Sequence, residues 1–160
     1  MCASPRCNHI LRTPPPTLSR AFAEGHDAQM RDTFAAMLGR PEAADSHLVD
    51  VPFLLGGLGL RSARRTAAQA YLGSAADALP EIRKHFPCLA ARFLGQLTDS
   101  DGQCQSISEA NGARQHLVRA GFQECPSWFD IYDGARPAPA GNVEPGEWAH
   151  GWQYFWFISN

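Results

Sequence analysis

Apolar residues recur at Leu18, Phe22, Met30, Phe34 and Leu38, all at multiples of four. Ala23 and Met37 take up the drift of that spacing against a helical turn of about 3.6 residues. The pattern predicts an amphipathic helix over about 18 to 38, its apolar stripe being the side that faces a core. Pro14, Pro15 and Pro16 keep anything upstream from running into it, and Gly39 with Pro41 just beyond marks its exit. Gly25 is its weak point.

Residues 40–50 are mostly polar or small and read as a connector. Next comes VPFLLGGLGLRSARRTAAQAYLGSAADAL, with Gly56, Gly57 and Gly59 followed by Arg61, Arg64 and Arg65. Its second half opens on Thr66-Ala67-Ala68-Gln69, the spacing of a capping box. Ala67, Ala70, Tyr71, Ser74, Ala75, Ala78 and Leu79 then share one face. So much alanine lets helix axes approach closely, which predicts a central helix.

Pro80 suits an early position in a further short helix, about 80 to 86, and Pro87 ends it or starts another through Cys88, Leu89, Phe93, Leu94 and Leu97. Residues 98–105 read as a loop. Ser106 and Glu109 have capping-box spacing before a helix carried by Ala110, Leu117, Val118 and Ala120 to Gly121. Beyond Gly121, PSWFDIYDGARPAPAGNVEPGEW has turn residues throughout and no period, so it is expected to wrap over the helices rather than form one. The expected fold is mainly α: a small irregular helical bundle with a Pro/Gly-rich, aromatic C-terminal wrap. It divides into a helical region with the glycine turn (1–97), a loop plus helix (98–121) and an irregular extension (122–160), in one domain overall.

A chain of 160 residues with 44% hydrophobic residues fits one modest core. Fourteen Lys+Arg against 16 Asp+Glu give a net charge of −2, the wrong sign for a module that grips nucleic acid unaided. Cys2, Cys7, Cys88, Cys104 and Cys125 are odd in number and irregularly spaced, and the first 25 residues lack the apolar core of a secretory signal. Reduced thiols in an intracellular protein, cytoplasmic or nuclear, are expected, and no apolar run approaches the roughly 20 residues of a membrane span.

Candidate chemistry is sparse. The glycine cluster matches neither GxGxxG nor GxxxxGK[ST], and it reads as a packing turn that lets Leu55, Leu58 and Leu60 reach the core. His26 and Asp27 are neighbours on a helix, about 100° apart, so they do not face one another; a hydrogen-bonded core histidine is expected. Cys2, Cys7 and His9 have the outer spacing of a zinc half-site without a second pair nearby, and loose terminal thiols are expected instead. His150, between Trp148 and Trp152, reads as aromatic-packed surface. No catalytic residue, metal, cofactor or small-molecule substrate is expected. Arg61, Arg64 and Arg65 form a basic spot with two open readings: a solvated face, or contact with a phosphate backbone. Positive charge at a helix N-terminus opposes the macrodipole, which would make sense if a phosphate supplied the anion.

Several segments resemble the region behind the polymerase palm in non-LTR retrotransposon-type reverse transcriptases, the RNA-directed DNA polymerases of mobile elements. They are PRCNHILRTPPP, Gly25-His26-Asp27, Val51-Pro52 followed by GGLGLRSA and AAQAYLGSAADALP, and the tail segments PSWFDIYDGARP and EPGEWAHGWQ. GGLGLRSA after a proline-containing apolar lead-in is the most specific. The resemblance implies a helical, thumb-like region that packs on primer-template backbone, as a piece of a larger retroelement polymerase or a relic open reading frame. The palm's metal-binding aspartates have no counterpart: Asp99 and Asp101 lie in a polar loop, so two-metal phosphoryl transfer has no template. Leu54 replaces a basic residue common in relatives, and Tyr154-Phe155-Trp156-Phe157-Ile158 departs from the family pattern. The rival expectation is a free-standing helical protein-interaction module.

Overall fold

The computed structural model describes Cys7, residues 9–40, Val49, and residues 59–99, 104–119 and 125–135. Gly56 and Gly57, Leu55 and Leu58, Cys2, His150 and the chain beyond 135, which includes most of the expected C-terminal wrap, lie outside the described residues. Within them the protein is a small helical bundle without a strand. Its helices are α1 (Pro16–Leu38), α2 (Ala63–His85), α3 (Pro87–Thr98), α4 (Gln105–Arg119) and α5 (Trp128–Tyr132).

Helix α1 starts with Pro16 in its first turn and stops at Gly39, whose φ of +63° is left-handed. The amides of Gly39 and Arg40 turn back onto the carbonyls of Ala36 and Ala35, the paired closure that glycine permits. The face that α1 buries is not the predicted one. Ser19, Ala23, Asp27 and Ala35 are buried, one position along from the stripe, while Leu18, Phe22, Met37 and Leu38 are exposed. The reason lies in the neighbour. Ala23 meets Ala63, Ala67 and Ala70 of α2, with Cys7 and Leu11 closing the cluster. A seam of alanines brings two helices too close for Leu or Phe to stand between them.

Helix α2 is central, as its alanine content predicts, and it touches α1, α3, α4 and α5. It begins three residues before the expected capping box. Ser62 is the N-cap and accepts from the Arg65 amide, while Thr66 sits inside the helix with its hydroxyl on the carbonyls of Ser62 and Ala63. Burial extends beyond the predicted face: Leu72, Gly73 and Ala76 join Ala67, Ala70, Tyr71 and Leu79, whereas Ala78 is exposed. Pro80 does not open a new helix. Helix α2 runs through it to His85, because Ala76 and Leu79 on the preceding turn are packed in the core and hold the axis past the missing amide. The break comes at Phe86, at φ −139°, and Pro87 starts α3.

Helix α4 also begins early, at Gln105, with the Cys104 carbonyl accepting from Ile107 and Ser108. Ser106 is therefore not a cap; its carbonyl accepts the Tyr71 hydroxyl at 3.1 Å. The segment read as non-helical contains α5, one and a half turns held by a capping box that the sequence carries in Ser127 and Asp130. Trp128 and Ile131 of α5 enter the main core with Tyr71, Leu72, Leu79, Leu97, Ile107 and Leu117. Trp128 donates to Asn111 at 2.6 Å, and Arg83 of α2 reaches the Tyr132 carbonyl and Asp133 while lying over the Tyr132 ring.

Candidate nucleic-acid interface

The amino end of α2 carries the three arginines. Arg61 precedes the N-cap, Arg64 and Arg65 are in the first turn, and all three are exposed. Gly59 leads into this end at φ +63°, a left-handed conformation that favours glycine, and the next amide, that of Leu60, donates to the Val49 carbonyl at 3.1 Å. Val49 is buried and Leu60 half-buried. Gly59 thus turns the chain from a pinned point into the helix.

An anion already occupies the backbone amides at this terminus. The Asp27 carboxylate, buried on α1, accepts from the Ser62 hydroxyl at 2.6 Å, the Ala63 amide at 2.6 Å and the Arg64 amide at 3.2 Å. The charge that the macrodipole calls for comes from inside the chain. A phosphate would therefore have to meet the guanidinium groups from outside, not the amides. Glu24, one turn before Asp27, sits 3.9 Å from Arg64 Nε and is also paired with Arg20. Neither contact buries the Arg64 head.

His26 stands beside this junction without joining it. Its Nδ1 is 3.6 Å from Asp27 Oδ1, beyond hydrogen-bond range, and both ring nitrogens are buried with no hydrogen-bond partner. The expectation of a hydrogen-bonded histidine does not hold; Phe22 tilts against the ring at 6.3 Å between centroids instead. Ser62, Asp27 and His26 do not form a nucleophilic triad, because the serine donates to the carboxylate and not to the imidazole.

Among the described residues, no group of three or more His, Cys, Asp or Glu could hold a metal ion. Cys7 is not a loose thiol: it is buried beside Leu11 and Ala23, and burial, with the nearby Asp27 charge, pushes its pKa up. His9 is exposed. Cys104 is the opposite case, an exposed thiol whose pKa is lowered by the backbone amides of Ser106 and Ile107 at the start of α4. The sequence carries no local signal for Asp27 as a cap, because the amides it holds lie 36 and 37 positions away on another helix.

No helix among the described residues is long and apolar enough to cross a membrane. The chain matches no protein-family model, and no curated protein and no solved structure matches it.

Proposed function

We propose that the chain serves as a helical region behind the palm of a non-LTR retrotransposon-type polymerase. In this role it bears on the backbone of an RNA–DNA duplex through Arg61, Arg64 and Arg65 and supplies no phosphoryl-transfer chemistry of its own. One observation carries the reading. The three guanidinium-bearing residues are exposed together at the amino end of the helix that touches α1, α3, α4 and α5, so a load on them is shared among these helices. The internal cap at Asp27 leaves any phosphate contact to the guanidinium groups alone, since the amides at that end already have their anion.

The test is duplex affinity at two salt concentrations for the parent and for a variant with all three arginines changed to glutamine. Binding should be weak and insensitive to base sequence, and the variant should lose roughly two to three from the salt slope. A flat salt dependence in the parent, or equal slopes in both proteins, would remove the phosphate role.

A second reading, a helical protein-interaction module, is favoured by the exposed Leu18, Phe22, Met37 and Leu38 of α1. A genomic reading frame upstream that encodes a palm with its aspartates separates the polymerase reading from this one.

A further inference from the structure

Arg64 is tied to α1 twice. Its backbone amide donates to the buried Asp27 carboxylate at 3.2 Å, and its side chain lies against Glu24, one turn earlier on the same helix. Glu24 carries a second cation. Arg20 Nε donates to Glu24 Oε1 at 3.0 Å, and that same oxygen stands 3.9 Å from Arg64 Nε. One carboxylate oxygen therefore bridges two guanidinium groups across the junction of α1 and α2.

We propose that Arg20 and Arg64 form one phosphate site across this junction, held in the unbound chain by the Glu24 carboxylate and taken over by a backbone phosphate of the duplex. The proposal rests on the reading of Arg61, Arg64 and Arg65 as backbone contacts, and it adds to that surface a residue from α1 and an internal competitor. A phosphodiester suits the pair because its two free oxygens can each accept from a different arginine. The spacing of the arginines does not depend on the bridge. Asp27 holds the start of α2 against α1 through Ser62, Ala63 and Arg64, so the two side chains stay neighbours when Glu24 leaves. The bridge itself is weak: Arg20 is 66% exposed, Arg64 65% and Glu24 44%, and ion pairs in such places contribute little and are screened by salt. A phosphate delivered by a duplex that Arg61 and Arg65 also touch displaces the carboxylate, which then opposes it at close range. Glu24 thus limits the affinity of the surface it belongs to.

The experiment measures duplex affinity at two salt concentrations for the parent, Glu24→Gln, Arg20→Gln and the double variant, with Glu81→Gln as control. Glu81 is also exposed, and it lies about 25 Å from Arg64 along the axis of α2, beyond the Debye length of about 10 Å at 0.1 M salt. Glu24→Gln should bind about three- to tenfold tighter at the lower salt and steepen the salt slope by roughly one. Arg20→Gln should cancel most of that gain, and Glu81→Gln should match the parent, all with unchanged helix content. No gain in Glu24→Gln, a gain that survives the loss of Arg20, or an equal gain in Glu81→Gln would overturn the proposal. Titration with inorganic phosphate, followed through the Nε–H resonances of Arg20 and Arg64 in nitrogen-labelled chain, separates it from the polymerase reading. If no variant binds duplex, that reading falls, whereas shifts of both resonances that are larger in Glu24→Gln than in the parent still uphold the site. Shifts of neither, or equal shifts in the two proteins, overturn it.

Discussion

The carboxylate of Asp27 on α1 and the backbone amide of Ala63 at the start of α2 are 2.6 Å apart, across 36 positions of sequence. A second carboxylate repeats the device: Glu109 of α4 accepts from the amide of Thr17 at 2.9 Å and from its hydroxyl, in the first turn of α1. Each of these helices thus begins where a carboxylate from another helix accepts from its first-turn amides.

Asp27→Ala leaves the Ser62 hydroxyl and two amides without an acceptor in a buried place, and should destabilise by about 2 to 3 kcal/mol. Asp27→Asn keeps one acceptor and should lose less. Urea unfolding of the three proteins checks the order; equal midpoints would mean that water replaces the carboxylate.

Two glycines should respond in opposite directions. Gly25 is inside α1 with open space where a Cβ would sit, so Gly25→Ala should stabilise by about 0.5 to 1 kcal/mol. Gly59 has a left-handed φ, and Gly59→Val should destabilise by on the order of 1 to 3 kcal/mol through the forbidden angle. Thermal melts decide both, and an unchanged Gly59→Val melt would show that the turn relaxes.

Glu109 is partly buried, which alone would raise its pKa, but the hydrogen bonds from Thr17 and Gln105 prevail and hold it below the ordinary value of 4.5. With the folded value depressed, its contribution to stability is fully present above the unfolded pKa and is lost as pH falls through the folded one. Glu109→Gln should therefore flatten the acid side of the stability profile below about pH 4.5. A profile parallel to the parent's would exclude that role.

Alkylation should rank the thiols. Cys104 is exposed with a lowered pKa, whereas burial raises Cys7 and Cys125, so Cys104 should react well before either at neutral pH. Mass spectrometry at timed quenches gives the order, and labelling of Cys7 ahead of Cys104 would contradict the packing around Leu11.

The helical class, the exit of α1 at Gly39 and the centrality of α2 were legible in the sequence because each rests on local signals: period, glycine and alanine content. What was not legible depends on the partner. Thr66 and Ser106 have capping-box spacing, yet the helices start earlier, at Ala63 and Gln105: Asp27 reaches across from α1 to the first, and Glu109, instead of closing a box with Ser106, holds the amide of Thr17. Pro80 looked like a boundary until the packing of Ala76 and Leu79 is counted. The short helix at Trp128 has too few residues to show a period, and its one local signal is the Ser127–Asp130 spacing among turn residues. At the arginines, the sequence marked the charge but not that the helix terminus beneath already had its anion.

The alanine seam has a consequence for how the molecule opens. Because α1 brings only Ala23 to the alanine cluster with α2 and leaves Leu18, Phe22, Met37 and Leu38 exposed, it gives up little apolar burial per turn when it lifts away. The amides of α1 should therefore exchange with solvent deuterium through a partial opening that leaves α2, α3, α4 and α5 assembled, at a lower free energy than the amides around Leu72 and Leu117.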